Sequence, residues 1–321
     1  MINININMNI AEQYNSLKQR VYDYRYNFGS NIKYYNFWKG EKPKEIWFSR
    51  FINSRNLAQK KKICFFSVLG KKNNIRLKNN RINIFFSGEN MYSDRFISYR
   101  SFCEKQHFDL YIDFNTYANK NSIRFPLWLM FMFEPEATYN DIKARVGQLR
   151  YPTFEKRQRF CSLVASHDFN GIRGKMFEAL SSVDKVVSAG IFRNNSDELH
   201  SDYENNKHDF IKQFKFNICP ENSNHHLYVT EKIFQAIDAG CIPIYWGGDN
   251  NPEYNILNKD AIMFWNEDDN TELIKTITKI NTDRQAYNNF AKQPRLLNGA
   301  EDIVIEMFIS LEKAIRDVIK N

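Results

Sequence analysis

The sequence predicts an α/β protein of two domains, each built around a mostly parallel sheet. Apolar runs of strand length alternate with stretches of helical periodicity, and each run stops at turn-forming or polar residues. Such alternation favours parallel strands with helices on both faces. The length of 321 residues exceeds one typical core and suits two.

The elements follow in order. Pro43 to Ser54 reads as a helix, with Ile46, Trp47, Phe51 and Ile52 near helical spacing. Lys62 to Leu69, Ile82 to Phe86 and Phe108 to Phe114 read as strands of a first domain. Glu134 to Lys156 is polar and lacks a strand signal, which puts a boundary near 150 and gives domains 1–150 and 151–321. Beyond it, Phe160 to Ser166, Val183 to Ser188, Phe214 to Cys219 and Cys241 to Trp246 are strand candidates. Arg173 to Ser181, Asp209 to Lys212 and Glu231 to Ala239 are the helices between them. Pro243 lacks the N–H of a central ladder and points to a strand end or edge. From Glu301 to Lys320, Val304, Phe308, Leu311, Ile315 and Ile319 form one helical stripe. The opposite face mixes acids and bases, so the stripe suits packing on protein, the N-terminal domain included.

Composition removes several classes of function. With 43% hydrophobic residues, 12 glycines and 8 prolines, the chain is globular rather than repetitive or disordered. A net charge of +8 favours an anionic partner: nucleic acid, an acidic membrane face or a phosphorylated small molecule. The basic clusters at Lys60 to Lys62, Lys71 to Arg81 and Lys156 to Arg159 fall in no nucleic-acid-binding frame, so no nucleic acid is expected. Five dispersed cysteines form no C-x-x-C pair, which argues against zinc or a disulfide framework and for a reducing, cytoplasmic setting. The alternating start, Met1 to Asn7, lacks the form of a signal peptide, and the apolar run Phe125 to Phe133 is too short to span a bilayer. Peripheral contact with an anionic membrane stays open, and no feature names an oligomeric state.

Phe216 to Gly247 carries the most information: strand, loop, helix, strand. Thr230 is placed to cap the helix through its hydroxyl, and Gly240 sits where a left-handed residue closes one. A helix start at the carboxyl end of a strand in an open α/β sheet suits an anion, and Lys232 adds a full positive charge there. An ordinary capped helix with solvated Glu231 and Lys232 is the competing reading. The crowding of Glu221, Asn222, Tyr228, Thr230, Glu231 and Lys232 favours the ligand. Adjacent His225 and His226 point apart on an extended loop, there is no D-x-D triplet, and no metal site is expected.

The stretch closely resembles the donor-binding signature of the α-1,3-fucosyltransferases, glycosyltransferase family 10. The matching residues are Phe216, Glu221-Asn222, Tyr228-Val229-Thr230-Glu231-Lys232 and Ile242-Pro243-Ile244-Tyr245-Trp246-Gly247. Similar in the same order are Asn36 to Gly40, Ser87-Gly88-Glu89-Asn90, Asp109, Arg124 to Leu127, Phe160 to Arg173 and Gly190 to Asn194. The resemblance implies two Rossmann-like domains facing across a cleft (GT-B type), an N-terminal acceptor side and a C-terminal domain that binds GDP-fucose. It implies metal-independent, inverting transfer of L-fucose to a glycan hydroxyl, α-1,3 on the GlcNAc or Glc of a lactosamine-like or other surface glycan. Glu89 would be the catalytic base. Arg173 and Lys232 would hold the diphosphate, Glu231 the fucose or ribose hydroxyls, and Asn222 and Tyr228 the nucleoside or its loop. The alternatives are a transferase for another GDP-sugar or acceptor, and a family member that binds GDP or glycan without turnover.

Overall fold

A computed structural model describes residues 14–320, apart from 16, 39, 58–60, 73–74, 119 and 155–156. The alternating start, Lys39, Lys60 and Lys156 of the sequence reading lie outside the described residues. The chain divides into two compact units: 1–125, 134–136 and 307–321 form the first, and 126–133 and 137–306 the second.

In the first unit, helical residues 17–26 (α1) lead to β1 (Ile32–Tyr35), α2 (Trp47–Ser54), β2 (Lys62–Phe66), β3 (Arg81–Phe86), α3 (Ile97–Lys105), β4 (Leu110–Asp113) and β5 (Ser122–Arg124). The five strands lie in sequence order and are all parallel. Both faces are covered, so β2 and β3 are apolar along most of their length instead of alternating. Phe65 stacks on Phe48 of α2 at 4.8 Å between ring centroids. Its neighbour Phe66 joins Phe85, Phe108 and Tyr111 on the other face. Burying each such ring contributes roughly 1.5–3 kcal/mol.

The second unit holds α4 (Leu127–Met132), α5 (Tyr139–Arg150), β6 (Arg159–Leu163), α6 (Ile172–Ser181), β7 (Val186–Ser188), α7 (Glu198–Ser201), α8 (Lys207–Ile211), β8 (Phe214–Ile218), α9 (Glu231–Asp238), β9 (Ile242–Tyr245), β10 (Met263–Phe264), α10 (Thr271–Thr282) and α11 (Arg284–Ala291). Its sheet is again parallel, in the order β10-β9-β8-β6-β7. The last helix, α12 (Ala300–Lys320), belongs to the second unit as far as Glu306 and to the first from Met307. In the first unit its Phe308 packs on Trp47, Phe51 and Phe125.

Three local expectations change. The division falls at 125/126, not near 150, because the polar stretch contains α5, whose Thr138 and Asp141 form a reciprocal capping box. The strand expected from Val183 begins only at Val186, since the N–H groups of Val183 and Asp184 still bond back to Leu180 at the end of α6. Pro243 lies inside the sheet, not at its edge. The Ile244 carbonyl accepts from the Cys219 N–H on the β8 side, so Pro243, one residue away, turns its nitrogen to the β10 side. There β10 begins only opposite Ile244, so no ladder bond is lost.

Candidate donor-binding site

After β6 the chain moves outward to β7, then returns to place β8 on the other side of β6. The loops leaving β6 and β8 therefore diverge and open a crevice at the carboxyl ends of the strands, where open α/β sheets bind ligands. A cavity of about 350 Å³ lies there. Its walls are residues 163–167 at and after the end of β6, 217–220 and Asn222 at and after the end of β8, and the charged side chains Arg173, Lys207, Glu231 and Lys232. Gly190 closes one side because a Cβ there would fall 2.2 Å from the Ala165 carbonyl oxygen.

The first-turn N–H groups of α6, at Arg173 and Gly174, are capped by the Asp168 carboxylate at 3.2 and 2.8 Å. That negative group makes a cation tolerable at a helix start. Arg173 is 6% exposed. Its Nη1 donates to the His167 carbonyl and lies 3.1 Å from His167 Nδ1, while Nη2 donates to Asn222 Oδ1 at 2.7 Å. Burial pushes its pKa down, partly offset by Asp168 and Glu221.

Glu221 organises the start of α9. Its carboxylate, almost fully buried, accepts from Thr230 N at 2.7 Å, Thr230 Oγ1 at 2.6 Å and Lys232 Nζ at 3.1 Å. Gly247 makes room for it: its φ is +134°, and a Cβ would lie 2.8 Å from Glu221 Cγ. Thr230 was expected to cap α9 with its hydroxyl. Instead that hydroxyl donates to Glu221 and accepts from Lys232 at 2.7 Å, and it does not cap the helix. The Thr230 hydroxyl thus takes no bond from the first-turn N–H groups of α9, and a helix start is where an anion is received.

Lys232 lies between two acids, Glu221 at 3.1 Å and Glu231 at 3.6 Å. Burial alone would lower its pKa, but the two carboxylates outweigh that and raise it. Burial alone would raise the Glu231 pKa, and Lys232 and Lys207 outweigh it in turn, holding the carboxylate ionised. The helix itself is fixed from behind: Phe234 stacks on Trp128 at 3.9 Å, and Trp128 Nε1 donates to Glu253 at 2.8 Å.

The structure brings Arg173, Asn222, Glu231 and Lys232 together on the cavity wall. Tyr228 and Thr230 are buried beside it and support its charged groups rather than lining it. Tyr245 is buried with its hydroxyl 3.5 Å from Glu221, and Trp246 Nε1 donates to Glu267. Sequence reasoning gave no role to Asp168, His167 or Lys207. Asp168 stands in a helix-entry pattern that was readable; Lys207 opens a five-residue helix with no strong periodicity. Among the described residues no group of three or more His, Cys, Asp or Glu is placed to hold a metal.

Glu89 lies in the first unit, just past the carboxyl end of β3 and half-buried. Its N–H donates to Ser87 Oγ at 3.1 Å, and that hydroxyl donates to the Glu89 carbonyl at 3.0 Å, which fixes the backbone of the turn.

Fold and cavity define an α/β protein with a cavity lined by charged side chains at the switch point of its second sheet. Two family models match consecutive parts of the chain: the α-(1,3)-fucosyltransferase FucT N-terminal domain over residues 32–131, and the C-terminal part of glycosyltransferase family 10 (fucosyltransferase) over residues 153–296. The chain belongs to glycosyltransferase family 10. It is 36% identical to α-(1,3)-fucosyltransferase FucT of Helicobacter pylori over 41% of its own length and 26% of that protein's. It is 32% identical to α-(1,3)-fucosyltransferase B of Drosophila melanogaster over 29% of its length and 22% of that protein's. These matches therefore span about a quarter of the relatives' lengths. Its fold is that of a crystal structure of an α1,3-fucosyltransferase with GDP-fucose: TM-score 0.56 and 21% identity, over 90% of each chain.

Proposed function

We propose that this protein is an inverting fucosyltransferase that moves L-fucose from GDP-fucose to a hydroxyl of a glycan, without a metal ion. The observation that carries the reading is the cavity between the β6 and β8 loops, where Arg173, Lys232 and the start of α9 surround space for a diphosphate. Family membership and the GDP-fucose bound to the structural relative support the choice of donor.

In the proposed reaction the acceptor oxygen bonds to the anomeric carbon from the face opposite the diphosphate. The bond from that carbon to the β-phosphate oxygen breaks, and its electron pair leaves with GDP. Glu89 takes the hydroxyl proton. Arg173, Lys232 and the α9 N–H groups meet the charge that gathers on the β-phosphate, the work a divalent cation does elsewhere. Glu231, ionised beside two lysines, accepts hydrogen bonds from ribose or fucose hydroxyls and favours positive charge on the sugar ring. For the acceptor we favour a GlcNAc or Glc residue taken at its 3-hydroxyl, on the match of the first unit to the FucT N-terminal domain. The five cysteines are free and buried, in keeping with a reducing, cytoplasmic setting.

The test is GDP release from GDP-fucose with a panel of lactosamine-type acceptors, with and without EDTA. Turnover with GDP-fucose and not GDP-mannose, unchanged by EDTA, supports the reading. Glu89→Gln should lower kcat about 10²–10⁴-fold while GDP affinity stays within about twofold. An EDTA-sensitive reaction overturns the metal-free part; equal activity of Glu89→Gln overturns the base.

A further inference from the structure

We propose that Lys207 is a third diphosphate-binding cation of the donor cavity, beside Arg173 and Lys232. The inference rests on the donor reading above and adds to it a residue that no part of the signature contains.

The charges of the cavity point to it. Lys232 is already matched, since two carboxylates lie within 3.6 Å of its ammonium. Lys207 lines the same cavity, yet its ammonium makes no carboxylate pair among the described residues. The partner the structure gives it is neutral, the Gln235 side-chain oxygen on α9 at 2.7 Å. An ammonium has three N–H donors, so that bond fixes the group against α9 and leaves donors over for a ligand. Burial lowers the Lys207 pKa, Glu231 offsets this in part, and Lys232 and Arg173 lower it further. Three cations that repel one another thus line a cavity with Glu231 as its acid among the lining residues. A ligand bearing two negative charges relieves that repulsion, whereas a neutral ligand leaves it in place. Gln235 stands one helical turn after Glu231, so Lys207 is also held next to the carboxylate it helps keep ionised.

The experiment compares wild type, Lys207→Met and Lys207→Arg for binding of GDP, guanosine and inorganic pyrophosphate by calorimetry, with a thermal melt of each protein. Lys207→Met should weaken GDP and pyrophosphate about tenfold to a hundredfold and leave guanosine within about twofold. Lys207→Arg should restore most of the diphosphate affinity. A residue that only braces α9 would weaken guanosine and GDP alike, and that result, or unchanged pyrophosphate affinity in Lys207→Met, overturns the proposal. The donor reading is judged separately on wild type. If GDP binds no better than ADP and UDP, that reading fails, while a pyrophosphate loss in Lys207→Met still upholds the third cation.

Discussion

At the carboxyl end of the second unit's sheet, Arg173, Lys207, Lys232 and Glu231 line one cavity, and buried Glu221 lies beneath Lys232. At the same end of the first unit's sheet the groups are mostly hydroxyls and amides: Ser87, Asn90, Tyr92, Asn115 and Tyr117, with half-buried Glu89 in the loop after β3. The buried carboxyl there, Asp113 at the end of β4, is pushed up to about 8 by burial, against the pull of Tyr117, and is uncharged at neutral pH. Arg100 pairs with Glu104 and lies over the Tyr92 ring. The same parallel-sheet scaffold therefore gathers ionic charge around one cavity in the second unit, while in the first Glu89 and Arg124, at the end of β5, stand at a strand end with mostly neutral hydrogen-bonding groups. A diphosphate needs ionic charge, because its own must be met wherever water is displaced. A sugar hydroxyl needs neutral partners, with one base to take its proton.

The largest effect that would break this contrast concerns the ionic core. Glu221→Ala removes the acceptor of the Thr230 N–H and the nearer of the two carboxylates beside Lys232, and should cost roughly 3–5 kcal/mol of stability. Urea unfolding measures it; a loss below about 1 kcal/mol would show that Lys232 needs no buried partner.

The neutral side is tested through pH. The Asp113 pKa is about 8 in the folded protein against an ordinary 3.8 for aspartate, so between these only the folded state holds the proton. Stability from this group is greatest below about pH 4, falls as pH rises to about 8, and levels beyond. Asparagine can accept from the Phe114 N–H and donate to the Tyr117 oxygen, partners that Asp113 already has. Asp113→Asn should therefore flatten the slope and be more stable than wild type at pH 8 by roughly 1–3 kcal/mol. Thermal melts from pH 5 to pH 9 decide it, and parallel slopes for the two proteins would mean that Asp113 is ionised throughout.

A smaller effect separates charge from geometry within the cavity. Arg173 spreads its two terminal nitrogens between His167 and Asn222, which a lysine cannot reproduce. Arg173→Lys should weaken GDP about tenfold, or about 1.4 kcal/mol, despite unchanged charge. Full affinity in that variant would reduce Arg173 to a point charge. Smallest is the response to salt: raising it from about 0.05 M to about 0.5 M should weaken GDP several-fold and leave the acceptor KM nearly constant. Equal salt dependence of the two would erase the contrast.

Much of the site was legible because its residues are close in sequence. Glu221 to Lys232 spans one loop and one helix start, so local patterning and the family resemblance found Asn222, Glu231 and Lys232 together. Thr230 was read correctly as the residue before the helix and wrongly as its hydrogen-bonding cap, because a carboxylate nine residues upstream competes for its hydroxyl. Lys207 left no local trace. Its role depends on α8 being carried against α9, which no spacing within Lys207 to Ile211 encodes.

The order of strands and helices from Phe160 to Trp246, the stripe of α12 and the helix start after Val229 were written in the sequence itself, since periodicity and turn chemistry act over a few residues. Tertiary structure alone decided that β7 and β8 flank β6 on opposite sides, that Pro243 tolerates a place inside the sheet, and that α5 joins the second unit. Each of these depends on which distant strand or helix a residue meets, and that choice is made by burial of whole faces. The cavity exists because two loops part at that switch point, so its chemistry was readable from the sequence and its location was not.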